Sequence, residues 1–142
     1  GTGTFTGAQF ELNTVSVFEQ RPIGLELALC LRYYYRITAP VNNSIIGPAY
    51  AQDATAGRIS GVFPITMRAQ PTALEQSGTA ANYALSSGGV DRAGTVVPSY
   101  NALTNQYAWI VSMAVSGGQT AGLAGIGYVL TAGAFLAWSA EL

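Results

Sequence analysis

Gly122-Leu123-Ala124-Gly125-Ile126-Gly127-Tyr128-Val129-Leu130-Thr131-Ala132-Gly133-Ala134-Phe135-Leu136-Ala137-Trp138 is almost wholly apolar, and no charged residue occurs between Arg92 and Glu141. The run sits at the lower limit of the ~17–25 residues that a membrane-spanning helix needs. Four glycines (Gly122, Gly125, Gly127 and Gly133) interrupt it, and no Lys or Arg flanks it to set a topology. It also divides around Thr131-Ala132-Gly133. Two short buried strands joined by a tight turn account for the same letters, and membrane insertion is not expected.

Working outward, that reading extends to most of the chain. Strands are predicted over 57–67, 72–76, 82–85, 108–115, 125–130 and 135–139, with another over 33–38. Turn chemistry separates them at 40–48 (with Asn42-Asn43), at Gln70-Pro71, at 86–89, at 116–118 and at Ala132-Gly133. Short strands at this spacing predict a mainly β fold, an antiparallel β-sandwich of jelly-roll type.

One segment differs. From Ile23 to Tyr34 the chain is rich in Leu, Ala and Glu, with Pro22 placed for a first helical turn. Ile23, Leu27, Cys30, Leu31 and Tyr34 share one face at helical spacing, while Leu25 and Leu29 lie off it. This predicts one N-terminal α-helix, apolar nearly all round and buried on more than one side. Before it, Phe10 and Leu12 alternate with Gln9 and Glu11, and Val15 and Val17 continue the period of two. The organisation expected is a strand or connector from an upstream domain over 1–20, then a helix plus sandwich head domain over 21–142.

Composition removes whole classes of chemistry. The chain of 142 residues contains no His and no Lys, so a Ser-His-Asp triad, a Cys-His pair and a His-ligated metal are all excluded. The lone Cys30, in an apolar run, reads as a small buried hydrophobe. Seven acidic residues against six arginines give a net charge of −1, which argues against nucleic acid. Only 9% of the residues are charged, compared with about 25% in ordinary soluble domains. A surface so poor in charge predicts that much of it is covered, by identical copies or another partner. The uncharged stretch 93–140 points the same way, since a sandwich normally turns polar side chains to water. No signal peptide is visible at Gly1.

Four segments in order resemble a domain common at the C-termini of bacteriophage tail fibres and tailspikes. They are Gly7-Ala8-Gln9-Phe10-Glu11-Leu12 leading to Val17-Phe18-Glu19-Gln20-Arg21-Pro22; the helix Glu26-Leu27-Ala28-Leu29-Cys30-Leu31-Arg32-Tyr33-Tyr34-Tyr35; Phe63-Pro64-Ile65-Thr66-Met67-Arg68-Ala69-Gln70-Pro71-Thr72; and the ending Ala137-Trp138-Ser139-Ala140-Glu141-Leu142. They span nearly the whole chain. Leu31 stands where a polar residue is common, and the loops over 78–104 match nothing in the pattern. The resemblance implies a virion structural role, a homotrimer, attachment to upstream fibre or spike domains, and contact with a bacterial surface glycan or other receptor. It implies no catalysis and no cofactor. The alternative class is a free-standing lectin-like carbohydrate-binding module.

Candidate sites follow from this. The oligomer interface is expected to use Ile23, Leu27, Leu29 and Tyr34. A polar and aromatic stretch just before a strand, carrying Tyr100, Asn101, Asn105 and Tyr107, suits a neutral glycan without needing charge; an ordinary turn explains the same asparagines. Tyr33-Tyr34-Tyr35 could stack on sugars, but core packing is the favoured reading. Asp53, Glu75 and Asp91 sit beside loops without the fixed spacing of a glycosidase pair, and Glu11, Glu19, Glu26 and Glu141 lie away from them. Arg32 and Arg68 are read as structural partners of Glu26 or Glu75. No catalytic residue and no metal site are expected.

Overall fold

The computed structural model describes residues 22–140. The predicted strands over 9–17, the connector 1–20, and Glu11, Glu19 and Glu141 lie outside them. The fold is mainly β, with one helix and two antiparallel sheets that share a single hydrophobic core. The predicted sandwich is therefore present, and its strands divide unequally. The smaller sheet sets β10 (Phe135–Ser139) between β1 (Tyr34–Thr38) and the two-residue β4 (Glu75–Gln76). The larger contains β2 (Ser44–Ala51), β3 (Ala56–Val62), β5 (Tyr83–Ser87), β6 (Val90–Ala93), β7 (Ser99–Tyr100), β8 (Ala108–Ala114) and β9 (Ala124–Val129). Its seven strands run in the order β6-β5-β9-β2-β3-β8-β7.

The apolar run that opened the reading becomes β9, a turn at 131–133, and β10. These strands do not pair with each other: β9 lies between β5 and β2, whereas β10 crosses to the other sheet and pairs with β1 from Tyr34↔Ser139 to Thr38↔Phe135. Trp138 carries the packing between the layers. Its ring centroid lies 4.8 Å from that of Trp109 on β8, 5.7 Å from Phe63 and 6.1 Å from Tyr35 on β1. Large rings need thin backbone opposite them. A Cβ at Gly61 would collide with the Trp109 ring, and one at Gly127 with the Ile59 side chain. These glycines are what the two bulky residues lie against. No helix among the described residues is long and apolar enough to cross a membrane.

Two buried polar side chains, Tyr83 and Gln119, find partners across the strands. The Tyr83 side chain on β5 is fully buried, and its hydroxyl donates to the Phe135 carbonyl of β10 at 2.6 Å while accepting from the Ser77 N–H at 3.1 Å. Gln119 accepts from Ser87 Oγ (2.6 Å) and donates to the Val90 carbonyl (3.1 Å). Burial without such partners would cost about 1–3 kcal/mol per group.

Several local expectations need correction. The helix, α1, spans Ile23–Leu31 and stops three residues short of Tyr34, because Tyr34 and Tyr35 are taken into the β1–β10 ladder. Aromatic side chains fit that pleated, half-buried surface better than a helix end. None of the helix residues is buried: Ile23 is 89% exposed and Leu27 60%, so α1 is no core helix of this chain. Cys30 shares that position and is exposed, not the buried hydrophobe expected. Of the tyrosine triplet only Tyr35 packs on the core; Tyr33 and Tyr34 are exposed.

The predicted turn 40–48 is mostly strand β2. Only its first part turns, with Asn43 at φ 60°. Gly47 and Pro48 hid the strand, yet both have places there. A bulge separates Ile45 from Gly47, and Pro48 precedes the ladder to β3, which begins at Ala49↔Ile59. A proline without an N–H is tolerated where no ladder bond is required of it. The strand expected over 57–67 ends at Val62, ahead of Pro64, and that over 72–76 shrinks to Glu75–Gln76. Strand β5 runs on to Ser87, and Gly88-Gly89, both at positive φ, form the two-residue turn into β6.

Two substitutions test this architecture by urea unfolding. Trp138→Ala should cost about 3–5 kcal/mol, the range for emptying a buried aromatic site. Tyr83→Phe should cost about 1–3 kcal/mol by leaving the Phe135 carbonyl and Ser77 N–H without their partner. A loss below 1 kcal/mol (roughly the scale of surface substitutions) in both would show that the sheets are held together elsewhere.

Candidate functional site

The stretch 99–107 is built for its own backbone. Asn105 Oδ1 accepts from the N–H groups of Tyr107 (2.8 Å) and Ala108 (3.0 Å), an Asx turn that starts β8. Asn101 Oδ1 accepts from Leu103 N–H at 3.0 Å, and its Nδ2 donates to Ser112 Oγ at 2.9 Å. Tyr100 is half-buried, its hydroxyl donating to the Pro71 carbonyl at 2.6 Å. Beneath them the buried Thr104 exchanges hydrogen bonds with both backbone groups of Ile110, each 3.0 Å. The segment is thus pinned at several points. Of the four residues singled out there, Tyr107 is the one that offers its ring to solvent, at 65% exposed.

A second surface escaped the sequence reading. On the outer face of the larger sheet, Asn43, Ile45, Ser86, Asp91, Ile126 and Tyr128 line an open cleft of about 490 Å³. Pairing explains why residues so distant in sequence meet. Ile45 lies opposite Tyr128 across β2–β9, Ser86 opposite Ile126 across β5–β9, and Ser86 opposite Asp91 across β5–β6. Alternation then turns all of them outward, because Leu85, Gly127 and Val129 take the inward positions. Two aliphatic side chains stand exposed, Ile45 at 65% and Ile126 at 40%. Tyr128 is partly buried, with the Asp91 carboxylate near enough to act on its hydroxyl. Desolvation first, and then the negative charge of Asp91, push the Tyr128 hydroxyl above the usual 10.0. The cleft carries one carboxylate and no cation. The signal that could have found it was the alternation Ile126-x-Tyr128, once β2 and β5 were known as its neighbours.

The other acids have structural places. Asp53 Oδ1 accepts from Thr55 N–H (2.7 Å), Thr55 Oγ1 (3.0 Å) and Ala56 N–H (2.8 Å) in the β2–β3 turn, and these bonds hold its carboxyl below the usual range. Glu75 accepts from the Tyr34 hydroxyl at 3.3 Å. The Arg68 guanidinium lies over the Tyr33 ring, and Arg36 over Phe135 at 3.8 Å. No group of three or more His, Cys, Asp or Glu side chains placed to hold a metal occurs among the described residues.

Tyrosine ionisation gives a direct check on the cleft. Tyr128 and Tyr35 should both titrate above the ordinary phenol value, Tyr35 through burial alone. For each, the folded chain holds its proton after the unfolded chain has lost it, so stability should be complete below pH ~10 and fall as pH rises through the folded values. In a spectrophotometric titration, Asp91→Asn should lower the value for Tyr128 and leave Tyr35 unmoved. An unchanged titration would mean that the two cleft residues do not interact. Neither a protein-family model nor a curated protein nor a solved structure matches the chain.

Proposed function

We propose that this chain is a structural domain of a bacteriophage tail fibre or tailspike, that it works as a homotrimer joined to upstream fibre domains, and that it meets a glycan or other receptor on the bacterial surface. The observation that carries the reading is α1. A nine-residue helix with Ile23, Leu25 and Leu27 exposed and no buried residue is an apolar element that the described residues leave uncovered. Apolar side chains gathered in this way mark an association surface. Trimerisation covers them, and a chain with 9% charged residues loses little solubility when its copies come together. The number three comes from the resemblance of the motifs around α1, Phe63–Thr72 and the terminal residues. The reading is of a non-enzymatic role: the chain has no histidine, and among the described residues Asp53 and Glu75 are bonded into turn and strand rather than paired for hydrolysis.

A lectin-like module that works alone is the second reading, favoured by the cleft of Asn43, Asp91 and Tyr128. It differs in requiring a stable monomer.

Sedimentation of the full chain at micromolar concentration separates the two. A trimer mass is expected, and Leu27→Asp should convert it to a smaller species while the strands keep their circular-dichroism signature. Leu27 is exposed in the single chain, so the charge costs the monomer fold little and the interface a great deal. A soluble wild-type monomer would sink the assembly argument. Incubation with capsule, lipopolysaccharide or peptidoglycan should release no reducing ends. Turnover abolished by Asp91→Asn would overturn the non-enzymatic role.

A further inference from the structure

We propose that the outer-face cleft between β2, β9, β5 and β6 binds an uncharged pyranose, with the ring resting on Ile45, Ile126 and Tyr128 and its hydroxyls bonded to Asp91, Asn43 and Ser86. This rests on the host-glycan reading above and names the ligand class and the residues. The volume of about 490 Å³ lies within the ~300–1,000 Å³ of small-molecule sites. The lining then selects the chemistry. A purely apolar ligand would cover Asp91 and Asn43 without giving them partners, at the cost of burying unpaired polar groups. Phosphate, sulfate and acidic sugars would meet the Asp91 carboxylate with no lining cation to offset it. A polyhydroxylated ring satisfies both halves of the surface. Its C–H face packs on two isoleucines and the tyrosine ring, and a carboxylate is the strongest acceptor available for a sugar hydroxyl. Rigid supports hold these groups in place: four hydrogen-bonded strands carry five of the six residues, and Asn43 closes the turn before β2.

The test uses the isotopically labelled full chain in the assembly state found by sedimentation. Backbone amide shifts are followed against a panel of neutral methyl hexopyranosides and N-acetylhexosaminides, with methyl glucuronide and glucosamine as charged comparisons. Saturable shifts should cluster at Asn43, Ile45, Ser86, Asp91, Ile126 and Tyr128, and the glucuronide should bind most weakly. Asp91→Ala should weaken binding by about tenfold or more, as removal of a charge-assisted bond does. Ile126→Ala should weaken it by removing the apolar shelf, and Tyr107→Ala should leave it unchanged. Asp91 and Ile126 are exposed, so the spectra of these variants should otherwise overlay the wild type. Absence of saturation with every neutral sugar overturns the assignment, as do shifts centred on Tyr107, or tighter binding of glucosamine than of its neutral relatives. A trimer that binds none of them removes the cleft proposal and leaves the fibre reading standing; a monomer that binds at the cleft does the reverse.

Discussion

The contact between Trp138 and Trp109 is the constraint to which the rest of the architecture conforms. Two indoles from opposite sheets, with centroids 4.8 Å apart, fill the space between the layers, and Phe63 and Tyr35 pack on Trp138 edge-on and stacked, respectively. Rings of this size bury ~150–250 Å² each, which at about 25 cal/mol per Å² is a large share of what a small sandwich can gain. Their bulk also dictates what surrounds them. Gly61 carries no side chain beneath Trp109, and Gly47 comes so near β3 that a Cβ would lie 2.6 Å from the Ser60 carbonyl. Neither indole N–H has a hydrogen-bond partner among the described residues, so packing outweighs polar satisfaction here.

Much of this was legible in the sequence, and the failures have identifiable causes. The uncharged run 122–138 gave two strands because its glycines and Thr131-Ala132-Gly133 are poor helix material, and Phe135–Ser139 falls where the letters place it. Periodicity could not say that β9 and β10 belong to different sheets, which is a property of long-range pairing. Strand β2 was missed because Gly47 and Pro48 ordinarily punctuate loops, and its bulge and late-starting ladder are visible only beside its neighbours. The helix was legible as a helix but not as an exposed one. Apolar letters record a need for burial without recording which molecule supplies it, and Cys30 inherited the same ambiguity.

The candidate sites divide on similar grounds. Asn101 and Asn105 looked like ligand groups because their amides could face a sugar. The structure uses them as turn formers, a role their residue type fits equally well. The cleft was illegible for a different reason. Its six residues lie on four strands and a turn scattered over 43–128, and a half-polar, half-aliphatic sheet face has no linear signature. A surface assembled by register becomes readable only once the register is known.

That register bears on how the protein is made. Among the described strands, β1 and β10 form the pair most distant in sequence, and β10 carries Trp138. On the ribosome the larger sheet emerges whole, with Trp109, Phe63 and Tyr83 already present, before the strand that seals them arrives. Until then the inner face of that sheet is open to water and β1 has no partner along its edge. Strand β10 begins at Phe135, soon after β9 ends at Val129, but the β1–β10 pairing closes a long loop, and closing so long a loop is intrinsically slow. Fidelity of production then depends on keeping neighbouring chains with an open sheet apart until β10 docks.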